Sequence, residues 1–236
     1  MSLSKIPWLL IALLSIHAGL IRPNPPPAPE ERYLTNYVTR RVHFAIGPFF
    51  IKLQVLSSAI VLSEIIIILG LDLPLSEWLY ATYNQTNPET ISSIRLTSLF
   101  VAGCVLAASG AALRQYCYRT LGRFFTFELS LRPGHFLVTK GPYRFVRHPS
   151  YTGLFMLLLG FHLCLFTPGS LVYESGILHS RLGSIVSAVW LVLTAGMCSG
   201  AVLRMRKEDQ LLRTHFGQEW DSWARDVPYR LMPLVL

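Results

Sequence analysis

Charged side chains are scarce in this sequence. Asp, Glu, Lys and Arg together make up 14% of its 236 residues, whereas hydrophobic residues make up 52%. Soluble domains average about 25% charged residues, so we expect much of the apolar surface of this chain to face lipid. The same composition excludes intrinsic disorder, which goes with low hydrophobicity and high charge. We therefore predict an all-α integral membrane protein.

Patterns for disulfide or metal chemistry are also missing. The four cysteines lie far apart and form no CxxC pair, which excludes a secreted disulfide scaffold and favours inert thiols buried in lipid-embedded helices. The seven histidines include no HxxxH or HExxH pair. No metal site is therefore predicted.

Five apolar runs approach the roughly 20 residues that a helix needs to cross a bilayer. They cover residues 6–21, 48–71, 91–113, 151–168 and 182–203. The first run is short, but it lacks the small-x-small cleavage pattern of a secretory signal, and we interpret it as a retained anchor. The fourth and fifth runs are close in sequence, which predicts a tight antiparallel hairpin. We predict three N-terminal spans in residues 1–113, and the hairpin and an amphipathic helix in residues 114–236.

Basic residues are unevenly distributed among the segments that join these runs. Residues 22–47, residues 114–148 and the tail after residue 203 are rich in Lys and Arg, whereas residues 72–90 contain neither. The positive-inside rule places the basic segments in the cytosol and residues 72–90, with the glycosylation pattern at Asn84, in the lumen. The formal net charge of +8 then indicates cytosolic loops and contact with anionic membrane lipid, not nucleic acid.

Two features inside the apolar runs favour structural roles. Gly103, Ala107 and Ala111 recur every four residues, which lets helices approach closely. Glu64 lies deep in the second run, where a charge is costly. We interpret it as a protonated carboxyl group that hydrogen-bonds to a neighbouring helix.

The first polar cluster occupies residues 134–151, directly before and at the start of the fourth run. Its Gly141-Pro142 and His148-Pro149 pairs are typical of turns, and Pro149 suits the first turn of the helix that follows. Aromatic residues, two histidines and backbone turns alternate in this segment. It therefore predicts a structured loop that lines a site, in preference to a basic linker that binds lipid headgroups.

The second polar cluster follows the fifth run. Arg204 and Glu208 are four residues apart and share one helix face, although Arg before Glu is the less favourable order for a surface ion pair. An apolar stripe at helical spacing comes after them, and packing within the protein is its simplest role. Its members are Leu212, Phe216, Trp220 and Trp223.

Together these segments resemble the isoprenylcysteine carboxyl methyltransferases of the endoplasmic reticulum over roughly residues 124–236. The matching motifs are His135-x-Leu137-Val138-Thr139-x-Gly141-x-Tyr143, Arg147-His148-Pro149-Ser150-Tyr151, Arg204-x-x-x-Glu208 and Phe216-Gly217-x-Glu219-Trp220. The resemblance implies a multi-pass enzyme of that membrane with a cytosolic, C-terminal cofactor-binding region. It implies methyl esterification, with S-adenosyl-L-methionine, of the C-terminal isoprenylated cysteine of small GTPase-type or other CaaX proteins.

Site residues follow from the resemblance position by position. The implied cofactor residues are His135, Phe136, Leu137, Val138, Tyr143, His148, Pro149, Ser150, Tyr151, Glu208 and Glu128. Some relatives have glutamine at the position of Glu128, and Glu208-Asp209 stands where the family has two glutamates. Arg204 is the implied substrate-binding and catalytic residue. Its guanidinium suits a carboxylate, which is already ionised near neutral pH and needs alignment rather than a general base.

Three other functions remain open. A phospholipid or other small-lipid methyltransferase would use the same cofactor with a different acceptor. A sterol reductase-like enzyme, which uses NADPH, is suggested by the ending at residues 227–233, although such enzymes have about twice as many spans. A non-catalytic membrane scaffold would need the hydropathy but neither polar cluster.

Overall fold

The structure is a computed structural model that describes residues 3–33, 37–70 and 93–232. Within these ranges the protein is helical, and a single antiparallel bridge joins Arg32 to Ser130. The predicted all-α class is therefore confirmed. Asn84 and the segment 72–90 predicted to face the lumen lie outside the described residues. The α-helices are α1 Ile6–Leu20, α2 Tyr37–Leu69, α3 Ser98–Leu121, α4 Pro149–Phe166, α5 Leu171–Glu174, α6 Arg181–Phe216 and α7 Gln218–Asp226.

Among the described residues, five helical stretches are long and apolar enough to cross a membrane, as the sequence predicts. They are Leu3–Leu20, Phe50–Leu69, Ser98–Phe124, Pro149–Glu174 and Arg181–Phe216. Two helices extend well beyond the predicted runs, because hydropathy marks only their lipid-compatible part. Helix α2 begins before Pro48, and α6 continues past residue 203 through a polar segment rich in good helix formers.

Contacts between chain segments divide the described protein into two compact units. Unit 1 comprises Met1–His17, Gln54–Ser109 and Met156–Gly196, and unit 2 comprises Ala18–Leu53, Gly110–Phe155 and Met197–Leu236. The five long helices each contribute one segment to each unit. The functional division at residue 113 falls inside α3 and stays a prediction.

Unit 1 contains the predicted close approach of helices. A Cβ atom on Gly160 of α4 would lie 2.4 Å from the backbone nitrogen of Ala107 and 2.5 Å from the carbonyl oxygen of Gly103. The backbones of α3 and α4 are therefore nearly in contact there. This confirms the packing role predicted for the small residues of α3.

Unit 1 also encloses an ion pair between Lys5 and Glu64, which are 0% and 3% exposed. Lys5 also donates a hydrogen bond of 2.6 Å to the carbonyl of Gly169, and its Nζ lies 4.3 Å from the centre of the Phe100 ring. The expected hydrogen bond between Glu64 and a neighbouring segment is confirmed. Its partner is the amino group of Lys5, and the protonated state of Glu64 stays a prediction.

The apolar stripe at the C-terminus belongs to two helices rather than one. Gly217 has φ +57°, a left-handed conformation that favours glycine, and it separates α6 from α7. Trp220 and Trp223 of α7 are buried in a cluster with Cys117, Tyr143 and Val227, against which Leu212 and Phe216 pack. The packing role predicted for the stripe is confirmed.

Candidate functional site

Both polar clusters predicted from the sequence lie in unit 2. The hydroxyl of Tyr151, at the start of α4, donates to Oε2 of Glu208 on α6 over 3.1 Å. One turn away, Nε2 of His148 lies 2.9 Å from Oδ1 of Asp209. These two contacts join the start of α4 to α6 across 57 and 61 positions of the chain. They agree with the predicted antiparallel hairpin, which stays a prediction.

The first turn of α4 is tightly held. Helix α4 begins at Pro149, as predicted, since proline at this position removes an N–H group that would otherwise lack a helical partner. Arg114 of α3 donates to the carbonyl of Ser150 over 2.9 Å and to its hydroxyl over 3.3 Å. Arg114 is only 4% exposed and also donates to the carbonyl of Gly19. From the sequence, Arg114 is only one of the basic residues of the segment predicted to be cytosolic, and this contact was not predicted.

His135 lies between aromatic rings. Its imidazole stacks on Phe124, with ring centres 4.5 Å apart and an interplanar angle of 15°, and its Nδ1 atom is buried without a hydrogen-bond partner. Burial lowers the pKa of His135, and His215 lowers it further, whereas Glu208 raises it. The imidazole is therefore neutral at pH 7 and offers a polar atom to a ligand. The next residue, Phe136, is 61% exposed.

The rest of this loop packs on α7. Leu137, Val138 and Tyr143 contact the cluster around Trp220 and Trp223. Burial raises the pKa of Tyr143 well above its ordinary value, and Cys117 and Glu208 raise it further. The phenol therefore keeps its proton over the whole physiological range.

Arg204 is oriented by main-chain oxygen atoms. Its guanidinium donates to the carbonyl of Phe127 and, over 3.5 Å, to that of Thr126, while its Nε atom is buried without a partner. Tyr151 and Glu208 interact with it electrostatically. The described contacts thus connect Arg204 to Glu208 through Tyr151 rather than as a surface ion pair.

Glu128 is engaged elsewhere in unit 2. Its carboxylate lies 3.2 Å from the guanidinium of Arg22, and that cation in turn lies 5.5 Å from the centre of the Phe127 ring. The carboxylate of Glu128 also interacts electrostatically with Arg204. A direct cofactor contact of Glu128 stays a prediction.

Asp209 is a second residue whose contacts were not predicted from the sequence. Its buried carboxylate contacts His148 and two guanidinium groups, with Arg147 NH1 at 3.2 Å and Arg230 Nε at 3.1 Å from Oδ2. The only sequence signal was the acidic doublet Glu208-Asp209, which does not say which carboxylate faces inward. The described residues contain no group of three His, Cys, Asp or Glu side chains able to hold a metal ion.

Known proteins similar to this chain agree with the predicted resemblance. Residues 101–181 match the family model of the Isoprenylcysteine carboxyl methyltransferase (ICMT) family, a range that includes the first polar cluster but neither Arg204 nor Glu208. Protein-S-isoprenylcysteine O-methyltransferase A of Arabidopsis thaliana is 36% identical over 127 residues, which are 53% of this chain and 55% of the relative.

Two further relatives are also protein-S-isoprenylcysteine O-methyltransferases. Protein-S-isoprenylcysteine O-methyltransferase B of Arabidopsis thaliana is 28% identical over 128 residues, 53% of this chain and 55% of the relative. The Xenopus laevis protein-S-isoprenylcysteine O-methyltransferase is 34% identical over 156 residues, 65% of this chain and 47% of the relative. The chain thus spans about half the length of the curated relatives it matches, and its resemblance to this family is confirmed.

Proposed function

We propose that this chain, which resembles the isoprenylcysteine carboxyl methyltransferases, esterifies the C-terminal carboxylate of isoprenylated cysteine in CaaX-processed proteins. The proposed methyl donor is S-adenosyl-L-methionine, and the proposed location is the endoplasmic reticulum membrane with the site facing the cytosol. The hydrogen bond from Tyr151 to Glu208 carries the proposal. It unites the two segments to which the family resemblance assigns methyl-donor binding, and it does so beside Arg204.

The residues around this bond fit the methyl donor chemically. Glu208 supplies a carboxylate for the ammonium group or the ribose hydroxyls of S-adenosylmethionine. The buried, unpartnered Nδ1 of His135 offers a polar contact between the aromatic rings of Phe124 and Phe216, a suitable setting for a flat base. A neutral His135 also avoids repulsion of a positively charged sulfonium.

Arg204 is the proposed carboxylate-binding residue. A guanidinium has five N–H donors, and two carbonyls engage only part of that set, so the buried Nε–H remains for an arriving carboxylate. S-adenosylmethionine supplies the methyl group as an electrophile on its sulfonium sulfur. The substrate carboxylate is ionised well below neutral pH; no general base is needed, and the contribution of Arg204 is alignment.

The helices also suit a lipid-borne substrate. Apolar side chains of α6 are widely exposed, among them Leu182 at 74% and Val192 at 70%, which is the expected surface of a helix facing lipid. A farnesyl or geranylgeranyl tail would remain in this apolar phase while its carboxylate reaches Arg204 at the membrane boundary. The polar methyl donor would arrive from the cytosol.

Methyl transfer to a farnesylcysteine analogue tests the proposal directly. Membranes containing the full chain, incubated with methyl-labelled S-adenosylmethionine, should form a base-labile methyl ester. Label in a base-stable phospholipid product would support the small-lipid methyltransferase alternative. NADPH-dependent reduction of a sterol without methyl transfer would support the reductase. Absence of methyl transfer to any acceptor would leave the scaffold and refute the proposal.

A matched pair of variants tests the assignment of Glu208. Glu208→Gln should weaken S-adenosylmethionine binding by roughly 10- to 100-fold, because a charge-assisted hydrogen bond is lost. Glu30→Gln makes the same chemical change at an exposed position of unit 2 and should leave binding unchanged. Tyr143 and His148 variants should also weaken binding, and unchanged affinity in all three site variants would refute the assigned cofactor site.

A further inference from the structure

The segment after α7 runs along the start of α4 and is bound to it through main-chain atoms. We call residues 228–231 the C-terminal strap. The N–H groups of Arg147 and His148 donate to the carbonyls of Tyr229 and Arg230 over 2.9 and 2.8 Å. The hydroxyl of Thr152 donates to the carbonyl of Leu231 over 2.6 Å. Carbonyl groups of the strap therefore accept hydrogen bonds from N–H groups at the start of α4 that have no partner within the helix.

Asp209 ties the strap to the same turn through side chains. Its Oδ2 atom lies between the guanidinium groups of Arg147, on the turn, and Arg230, on the strap. Its Oδ1 atom holds the imidazole of His148. Arg147 also reaches the strap directly, because its NH2 donates to the carbonyl of Pro228 over 3.0 Å. One buried carboxylate thus fixes the turn, the strap and α6 together.

This arrangement lies next to the proposed cofactor contacts but is distinct from them. Three residues beyond His148, Tyr151 bonds to Glu208, and Glu208 precedes Asp209 on α6. Adjacent residues of a helix point in different directions, so Glu208 meets Tyr151 while Asp209 meets the turn and the strap. A shift of the turn would move Tyr151 away from Glu208.

We propose that the C-terminal strap and Asp209 position the His148–Tyr151 turn for binding of the methyl donor, with Asp209 acting through His148 and Arg230 acting through Asp209. The proposal rests on the proposed function, because it assigns positioning residues to the same site. Asp209 and Arg230 are positioning residues here, and neither is required to touch the methyl donor or the substrate.

Affinity for S-adenosylmethionine, measured on the purified full chain, tests the positioning role. Asp209→Asn removes the charge that holds His148, Arg147 and Arg230, and should weaken affinity by roughly 10- to 100-fold. Asp209→Glu keeps the charge and should restore most of the affinity. Arg230→Met, which leaves the other partners of Asp209 in place, should have a smaller effect of the same sign.

Asp221→Asn is the matched control. It breaks the ion pair between Asp221 and Arg213, which is 2.8 Å long and lies on the surface with side chains 43% and 64% exposed. This control should bind S-adenosylmethionine as the unmodified chain does. Wild-type affinity in folded Asp209→Asn and Arg230→Met would overturn the positioning role, even if both variants melt at lower temperature.

Hydrogen exchange separates failure of this inference from failure of the proposed function. In Asp209→Asn and Arg230→Met, the amides of Arg147 and His148 should exchange faster than in the unmodified chain and in Asp221→Asn. If the unmodified chain binds no S-adenosylmethionine, the proposed function fails. The positioning role then fails with it, even if the amides of Arg147 and His148 exchange faster in the variants. If it binds and the variants neither lose affinity nor exchange faster, only the strap inference fails.

Discussion

Arg204 illustrates how a single charged residue is prepared for a substrate. Carbonyl oxygens of Phe127 and Thr126 accept hydrogen bonds from the guanidinium and fix its orientation. Tyr151 and Glu208 interact with it electrostatically. A planar guanidinium can satisfy two carbonyls and a carboxylate at once, whereas a lysine ammonium lacks the fixed fork. The function proposed for Arg204 therefore depends on its shape as well as its charge.

Arg204→Lys should lower kcat/KM for methyl transfer by roughly 10- to 100-fold, because a charge-assisted hydrogen bond to the carboxylate is lost. Arg204→Ala should lower it further. S-adenosylmethionine affinity should stay within about twofold in both, since the missing contact belongs to the other substrate. Arg206→Lys, at an exposed position on the same helix, is the control. Full activity in a correctly folded Arg204→Ala protein would contradict the assignment.

The neutral state of His135 makes stability depend on pH. Burial and the neighbouring His215 lower the pKa of His135, so the folded chain binds this proton less readily than the unfolded chain, whose histidines titrate near 6.5. Stability from this group is complete above about pH 6.5 and falls as the pH drops below it. His135→Gln should therefore lose less stability between pH 7.5 and 5.5 than the unmodified chain.

Thermal melting in detergent across this pH range measures the effect. His179→Gln replaces an exposed histidine and should melt with the same pH dependence as the unmodified protein. An unchanged pH dependence in His135→Gln would show that His135 does not contribute to it.

At the scale of residues, the members of the polar clusters were predictable from the sequence, but the contacts that they make with one another were not. Arg204 and Glu208 could be placed on one helix face because i and i+4 positions always share one. The choice of Asp209 over Glu208 as the partner of His148 depends on helix rotation, which is set by long-range packing. Arg114 and Lys5 gave the same difficulty, since each stands directly beside an apolar run and the sequence does not indicate its partner.

At the scale of elements, the contact of α3 with α4 depends on glycine. In Gly160→Ala the new Cβ would fall 2.4 and 2.5 Å from backbone atoms of Ala107 and Gly103, which cannot rotate away. The two helices must separate, and overpacking of this kind costs about 1–3 kcal/mol. We expect a clear loss of thermal stability in detergent-solubilised protein.

Gly196 provides the matched control for this substitution. It lies inside α6, and a Cβ on it would meet nothing within 4 Å. Gly196→Ala should therefore be neutral or stabilising, because alanine favours helix by about 1 kcal/mol over glycine. Equal effects at the two positions would contradict a packing role for Gly160.

Helix positions were predicted better than helix lengths. The apolar runs predicted the five stretches of the described residues that are long and apolar enough to cross a membrane, because hydropathy is a local property. Helical structure after residue 203 was predicted from the shared face of Arg204 and Glu208 and is present in α6, but the break at Gly217 was not predicted. The break depends on how α7 packs its tryptophans on the loop around Tyr143, which no periodicity in one segment encodes.

At the scale of the whole molecule, loop charges predict the orientation of the chain in its membrane. Lys140 and His179 are exposed. Lys140 lies in a basic segment predicted to face the cytosol, whereas His179 lies in the short turn 169–181 between the fourth and fifth runs, which alternation of the spans places in the lumen. In sealed microsomes, Lys140→Cys should react with an impermeant thiol reagent, because the basic segments are expected in the cytosol. His179→Cys should react only after permeabilisation. Replacement of the half-exposed Cys198 in both removes background labelling.

The reverse pattern would contradict the cytosolic orientation while leaving the helices themselves unaffected. Labelling at both positions in sealed microsomes would mean that the charge asymmetry does not govern this chain. With the reverse pattern, the site would need another route for a water-soluble methyl donor.

The buried pair of Lys5 and Glu64 joins two chain segments that are synthesised at different times. Lys5 is synthesised 59 residues ahead of its partner, so the first helix is made before the carboxyl group that pairs with it. Removing one partner of a buried pair costs about 3–5 kcal/mol, and Glu64→Leu should leave a nascent chain that quality control degrades. Exchanging the two charges, Lys5→Glu with Glu64→Lys, should restore its cellular half-life. We therefore expect stable insertion of the first helix to depend on the later synthesis of α2.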